Sequence, residues 1–342
     1  MTAKQPIRLA AFTGGENDPS ARLRVRQHID RLRKYGIEAT EYYPYTGSAH
    51  RPATGSRVPW LLSQLKQRYR QIRTARAYSV ALLQRQLITT INTFEFMIAG
   101  PRILDVDDAI WVTCRFGSAD RLARQCETVI CGNDFIAEHF SRVNSSVRII
   151  PTTVDTAVWV PADAARTSGP PIIGWIGTRG NQKYLHPIEW ALAKTLDEHR
   201  DARLLIVSDA PPEFSQLPAS RVDFRHWSAE TEVSDVQDMS IGIMPLADTL
   251  WERGKCSCKL LQYLACGIPA VASPVGTNVQ IAARGGVLLA DTPGQWTESL
   301  LHLLRDETAR TELGNAGRVI TTAQYSAETS ATLLAKAVQD CL

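Results

Sequence analysis

Short apolar runs, each closed by small or polar residues, alternate along the chain with stretches whose apolar positions return every three or four residues. The run IRLAAFT (Ile7–Thr13) stops at Gly14-Gly15 and predicts a buried strand entering a tight loop. Ser20 then stands as the cap of a helix reaching about Tyr35, with Val25, Ile29 and Leu32 on one face and Gly36 as its stop. IEATEYYPY predicts the next strand, so strand follows helix follows strand and a parallel sheet is favoured. SVALLQR, RILDVDD, ETVICGN and VRIIPTTVD continue the alternation. Pro161–Pro171 (PADAARTSGPP) mixes Pro, Gly, Ala and polar residues as linkers do. Beyond it a second series begins, with strands in PIIGWIG, ARLLIVSD, VDFRHW, SIGIMPL, PAVASP and GVLLA. AQYSAETSATLLAKAVQ ends the chain as an amphipathic helix.

The expected fold class is therefore α/β, with two Rossmann-like doubly wound domains facing each other across a cleft. The expected boundaries are 1–160 for the first Rossmann-like domain, 161–171 for the linker, 172–323 for the second, and 324–342 for a helix packing back on the first domain. Ligands of such sheets bind at the carboxyl ends of the strands, so the strand-end loops are where chemistry belongs.

Composition narrows the class. The chain has 342 residues, 44% of them hydrophobic, which suits two globular domains with ample core. No apolar run approaches the ~20 residues of a membrane span, and MTAKQPIRLAAF lacks the pattern of a signal peptide. Seven cysteines, an odd number, fit reduced thiols and a cytoplasmic setting. Cys256 and Cys258 form a CxC, but no second pair stands at zinc-ligand spacing, so no metal is expected there. Net charge is only +3, yet Tyr42–Phe94 contains no Asp or Glu while carrying Arg51, Arg57, Lys66, Arg68, Arg70, Arg73, Arg76 and Arg85. Trp60, Leu61, Leu62, Leu65, Tyr69 and Ile72 share this segment at helical spacing. Such a helix (the basic stretch Arg51–Arg76) suits peripheral contact with an anionic membrane, a polyanionic substrate, or plain packing on its own domain. No nucleic-acid motif accompanies the charge, so nucleic acid is not an expected partner.

Three constellations carry candidate chemistry. GWIGTRGNQKYL (Gly174–Leu185) follows the first strand of the second series and opens a helix. Gly177 and Gly180 admit close backbone approach, and Arg179 and Lys183 place two cations at i and i+4. The combination suits a diphosphate, or else is a surface turn with incidental cations. It is neither a GxGxxG loop nor a P-loop, which removes NAD and ATP hydrolysis. Downstream, Glu252, Arg253, Gly254 and Lys255 precede CSCKLLQYLACG, where small Cys256, Ser257 and Cys258 leave backbone N–H groups accessible. Lys259 and Gln262 share a helix face there. In the first series, DVDD carries Asp105, Asp107 and Asp108. These carboxylates suit a DxD metal site, an acceptor hydroxyl to be oriented or deprotonated, or a cap plus ion pair with Arg102 or Arg115. Arg22 and Arg26 suit an anionic acceptor or donor phosphate, or a solvated face.

QYLACGIPAVASPVGTN resembles the EAMACGxPVVAS helix of retaining glycosyltransferases of family 4, with Gly267, Pro269, Ala272, Ser273 and Gly276 all in register. PSARLRVRQHIDRLRKYGIEA, ILDVDDAIW, TVICGNDFIAEHF and IIPTTVDTAVWVP resemble further family motifs, so the likeness spans nearly the whole chain. Two departures stand out: Gln262 occupies the second Glu of the family's spaced Glu pair, and counting back eight from it reaches Gly254, not Glu252. The resemblance implies the GT-B fold and a nucleoside-diphosphate sugar as co-substrate, with no other cofactor. It implies that Lys183 and Arg179 neutralise the donor diphosphate, reinforced by Lys259, and that Gln262 binds ribose hydroxyls. Glu252 and the backbone of Lys255, Cys256, Ser257 and Cys258 would hold the donor sugar, and Asp209, His226 and Trp227 would frame the base. Gly15, Gly177 and Thr178 complete the donor set. Asp107 would act on the hydroxyl acceptor, with Asp105, Asp108, Arg22 and Arg26 around it. The implied function is sugar transfer with retention, in bacterial surface polysaccharide or glycoconjugate synthesis. The alternatives are a non-hydrolysing sugar-nucleotide epimerase and a non-catalytic glycan- or nucleotide-sugar-binding module.

Overall fold

The computed structural model describes residues 5–44, 57–88, 90–163 and 169–342. Arg51, the start of the basic stretch, and residues 164–168 of the expected linker lie outside the described residues. Chain contacts divide the molecule into two units: Met1–Thr153 with Arg253–Cys256 and Ala327–Leu342, and Val154–Glu252 with Ser257–Ser326.

The first unit runs β1 (Ile7–Phe12), α1 (Pro19–Arg24), α2 (Ile29–Leu32), β2 (Ile37–Tyr42), α3 (Arg57–Ala75), β3 (Val80–Gln84), β4 (Arg102–Val106), α4 (Ser118–Arg124), β5 (Thr128–Cys131), α5 (Asp134–Phe140) and β6 (Val147–Ile149). Its six strands are parallel in the order β2-β1-β3-β4-β5-β6. Successive side chains of a strand face opposite sides, so a strand apolar throughout needs cover on both. Phe12, Leu83, Leu104 and Val106 meet Ile72, Leu122 and Phe140 on one side. Leu9, Leu82, Ile103 and Ile130 meet Leu32, Leu334 and Val338 on the other.

The second unit contains β7 (Ile172–Ile176), α6 (Glu189–Glu198), β8 (Arg203–Ser208), β9 (Val222–His226), α7 (Glu232–Gln237), β10 (Ile241–Met244), α8 (Leu250–Arg253, its last residue counted with the first unit), α9 (Cys258–Ala265), β11 (Ala270–Ala272), α10 (Thr277–Ala282), β12 (Val287–Leu289), α11 (Pro293–Arg305) and α12 (Glu307–Gln324). Its sheet is also parallel, in the order β12-β11-β10-β7-β8-β9, around a core of Ile173, Trp175, Leu192, Leu204, Ile206 and Leu300. The last helix, α13 (Ala327–Gln339), belongs to the first unit, where Leu334, Ala335, Ala337 and Val338 are buried. Burial of a Leu or Val side chain of this kind contributes about 1.5–3 kcal/mol.

Both sheets have a point where strand order reverses, between β1 and β3 in the first unit and between β7 and β10 in the second. At such a point the adjoining loops diverge and leave a crevice at the strand ends.

Two helices differ from the sequence expectation. The segment expected as one helix from Ser20 to Tyr35 is broken into α1, a 3-10 turn at Arg26–His28, α2 and a second 3-10 turn at Arg33–Tyr35. Its cap is Asp18, whose carboxylate accepts from the Ser20 N–H at 2.9 Å with Pro19 at the first helical position. Gly36 ends it with φ 72°, as expected. In α3 the buried face is not the apolar stripe: Gln64, Arg68 and Gln71 are buried beside Ile72, while Leu62 and Tyr69 are exposed. The reason is hydrogen bonding. Arg68 donates to the carbonyls of Thr13 (2.6 Å), Tyr42 (3.0 Å) and Leu87 (3.1 Å), which lie past the ends of β1 and β3 and at the last residue of β2. Buried carbonyls need donors, and a guanidinium supplies five. Among the described residues, no helix is long and apolar enough to cross a membrane.

Candidate functional site

At the reversal point of the second sheet, β7 ends at Ile176 and the chain turns outward through Gly177 and Thr178. The next segment, Arg179–Tyr184, is a 3-10 turn rather than the first turn of an α-helix; α6 begins only at Glu189. In a 3-10 turn residues i and i+3 align, so Arg179 and Lys183 do not share one face as α-helical spacing would have them. Nor is the Arg179 N–H open: it donates to Asp209 Oδ1 at 2.5 Å, at the end of β8. Both cationic side chains are exposed.

Gly177 shows why a glycine is required. A Cβ there would lie 2.7 Å from the Trp175 ring and 2.8 Å from Lys259 Cε. Lys259, on the first turn of α9, therefore crosses directly over the backbone at the end of β7, with its Nζ 5.8 Å from the centroid of Trp175. Lys183, exposed on the turn, has its Nζ 4.9 Å from the centroid of the neighbouring Tyr184. The Tyr184 hydroxyl donates to Glu252 Oε1, and the Thr249 hydroxyl donates to Glu252 Oε2. Glu252 is only 4% exposed. Burial opposes its charge, but these two hydrogen bonds and the nearby Lys183 outweigh it and hold the carboxyl below the usual range. The end of β7 and α9 thus bring Gly177 and Lys259 together, and the turn and α8 bring Tyr184 and Lys183 to Glu252.

α9 begins from Ser257, a non-glycine residue at φ 54°. Its hydroxyl donates to Asn278 Oδ1 at 2.6 Å, and Asn278 Nδ2 donates to the Ser273 carbonyl at 3.0 Å. Cys258 and Lys259 follow half-buried, and Gln262 is buried one turn on. His226 ends β9 and Trp227 follows it. His226 is exposed, with Nδ1 3.1 Å from the Trp227 carbonyl oxygen, and Trp227 donates from Nε1 to Glu232 at 3.1 Å.

The first unit gathers a separate charged cluster. Asp105 is paired with Arg24 (2.6 Å), both almost wholly buried. Asp107 and Asp108 are paired with Arg85 at 2.6 and 2.5 Å. The partners are thus Arg24 and Arg85, while Arg102 turns away to the Glu95 carbonyl. Arg85 itself stands at φ 64°, a strained position for a residue with a Cβ. Lys255 Nζ lies 3.8 Å from Asp108, and Cys256 is buried with its thiol donating to the Asp107 carbonyl. Asn133 Nδ2 donates to the Gly254 carbonyl at 3.0 Å. Lys255 and Cys256 therefore pack with the acidic cluster, whereas Ser257 and Cys258 start a helix of the second unit. Arg85 and Arg24 hold Asp107 below the usual carboxylate range against burial. For Asp108 burial prevails, with the charge of Asp107 adding to it, and its pKa is raised despite Arg85 and Lys255. Arg22 is half-buried on α1. Arg26 is held at 2.8 Å by both oxygens of Glu41 and also donates to the carbonyl of buried Gly15.

Sequence reasoning did not single out Arg24, Tyr184 or Asn278, and named Arg85 only as one cation of the basic segment. Arg85 was within reach as the last residue of the SVALLQR strand, and Tyr184 as the neighbour of Lys183. The partners of Arg24 and Asn278 leave no local signal.

Residues 170–306, from the start of β7 through α11, match the family model described as Glycosyl transferases group 1. No curated protein sequence matches the chain. Among solved structures, sucrose-phosphate synthase from Thermosynechococcus elongatus is similar over 98% of each chain at 14% identity, with a TM-score of 0.73. The Anabaena protein HepE in complex with UDP and glucose is similar over 97% of this chain and 99% of its own, at 13% identity and a TM-score of 0.71. A putative UDP-N-acetylglucosamine 2-epimerase from Listeria monocytogenes is similar over 98% and 96%, at 11% identity and a TM-score of 0.65. Identities this low speak for the fold alone. By fold the chain is a GT-B protein, and by sequence its residues 170–306 match the group 1 glycosyl transferases.

Proposed function

We propose that the protein is a retaining glycosyltransferase of family 4, moving a sugar from a nucleoside-diphosphate sugar to a hydroxyl acceptor, with no further cofactor. The observation that carries this is Lys259 crossing a glycine at the reversal point of the second sheet, with a second cation, Lys183, on the turn that follows the same strand. As the bond from the sugar C1 to the diphosphate oxygen breaks, its electron pair stays with the departing nucleotide, whose diphosphate gains one unit of negative charge beyond those it already carries. Cations fixed beforehand at that place stabilise the transition state more than the ground state. The acceptor oxygen then bonds to C1 from the face the diphosphate leaves, which keeps the anomeric configuration. HepE was solved with UDP and glucose, which makes UDP sugars the first donors to try.

Asp108 or Asp107 would take part at the acceptor hydroxyl. The role suits an adjacent pair whose proton affinities are pushed apart. For the setting we propose the cytoplasm, at the inner face of the membrane, in surface polysaccharide or glycoconjugate synthesis. The support is α3, where Val58, Leu62, Lys66, Arg70 and Arg73 are all exposed at helical spacing.

Lys183→Ala should cut sugar transfer by about 10²-fold or more. Activity within a few-fold of wild type would remove Lys183 from the mechanism. The same assay without acceptor separates the alternatives: isomerised nucleotide sugar would indicate an epimerase. Donor binding with no nucleotide diphosphate released under any acceptor would indicate a binding module.

A further inference from the structure

We propose that Tyr184 and Glu252 form a mount for the Lys183 ammonium, which makes both positioning residues for the diphosphate rather than ligands of the donor sugar. The proposal rests on the assignment of Lys183 to the diphosphate and deepens it.

Four observations bear on it. Glu252 is 4% exposed and each of its carboxylate oxygens already accepts a hydroxyl, one from Tyr184 and one from Thr249, which leaves it ill placed to hold a sugar. Tyr184 is buried to 7% exposure at the end of the turn that carries Lys183, so its ring cannot swing away. The Lys183 Nζ lies 4.9 Å from the centroid of that ring. The negative carboxylate at the hydroxyl end of the ring adds a second attraction for the same ammonium.

The chemistry follows from these contacts. A lysine has a flexible four-carbon stem and loses side-chain entropy when fixed in one place. A ring face beneath the ammonium offsets part of that cost. A phenol that donates to a carboxylate becomes richer in electrons, which strengthens its pull on the cation. Lys183 is thereby held on the face of Tyr184 before any ligand arrives, and pre-organisation of this kind improves affinity by cutting the cost of ordering.

The test is a double-mutant cycle read by calorimetry, using whichever of UDP, GDP, ADP and dTDP binds the full-length protein most tightly. Tyr184→Phe and Glu252→Gln should each weaken that nucleotide about threefold to tenfold in the presence of Lys183. In the Lys183→Ala background they should change nothing further. They should also weaken the nucleotide and its sugar derivative by the same factor. A loss equal with and without Lys183 would show a general structural role and overturn the proposal. So would a Glu252→Gln loss confined to the nucleotide sugar, or no loss from either variant. Lys183→Ala binding as well as wild type, or no diphosphate binding to wild type, would instead bring down the underlying site assignment and the mount with it. Should Glu252→Gln fail to fold, the Tyr184→Phe arm decides alone.

Discussion

His28 shows what a single residue can carry without touching any ligand. It is 3% exposed, 3.3 Å from the Ser330 hydroxyl, and sits among groups that reject a proton. Burial first, then the charges of Arg24 and Arg31, push its pKa down to about 3. In the unfolded chain a histidine titrates near 6.5. The unfolded state therefore takes up the proton first, so stability is full above about pH 6.5 and falls as pH drops from there toward 3. Across that window the loss from this group approaches about 1.4 kcal/mol per pH unit. His28→Gln should flatten the acid side of a plot of Tm against pH between 7 and 4. Parallel curves for variant and wild type would mean that His28 does not govern the acid limb.

At the scale of elements, the start of α9 is decided by a buried polar relay rather than by helix preference. Ser257 enters the left-handed region and is held there by Asn278 from α10, which in turn reaches the carbonyl of Ser273. Asn278 has no exposed surface, so its removal strands partners that water cannot reach. Asn278→Ala should cost about 2 kcal/mol, read as a lower urea midpoint at unchanged slope. It should also weaken nucleotide binding, because Lys259 rides on the turn that Ser257 begins. An unchanged midpoint would show that the relay is dispensable. α3 teaches the complementary lesson. Its apolar residues sit at helical spacing, yet the carbonyls of Thr13, Tyr42 and Leu87 drew Arg68 inward and turned Leu62 and Tyr69 out.

For the whole molecule, that outward turn has a consequence. Residues from Tyr42 to Phe94 include no acid, and α3 exposes Val58 and Leu62 together with Lys66, Arg70 and Arg73. Each cation near an anionic bilayer contributes about 1 kcal/mol, screened by salt. The protein should therefore co-sediment with phosphatidylglycerol vesicles at low salt and not with phosphatidylcholine vesicles. Lys66→Gln, Arg70→Gln and Arg73→Gln together should weaken that binding about 10²-fold. Equal binding to both lipids, or an unaffected triple variant, would refute the docking face.

The sequence alone determined the two series of strands and their parallel order of travel, because strands buried on both sides must be apolar throughout, and that pattern is written locally. Glycines also spoke for themselves: Gly36 stops a helix and Gly177 clears space at a strand end, for reasons of backbone sterics. That the start of α9 meets the end of β7, with Lys259 over Gly177, accords with the strand-end rule. What Glu252 holds was not, since its partners Tyr184 and Thr249 are visible only once the turn and α8 meet. Likewise Asp105 finds Arg24 across 81 positions of sequence, and the run from Lys255 to Cys258 divides between two units. Spacing along a chain reports which face a side chain takes within its own element. Which charge neutralises which, and which donor a buried carbonyl receives, depends on elements brought together by packing, and only the tertiary structure decided it.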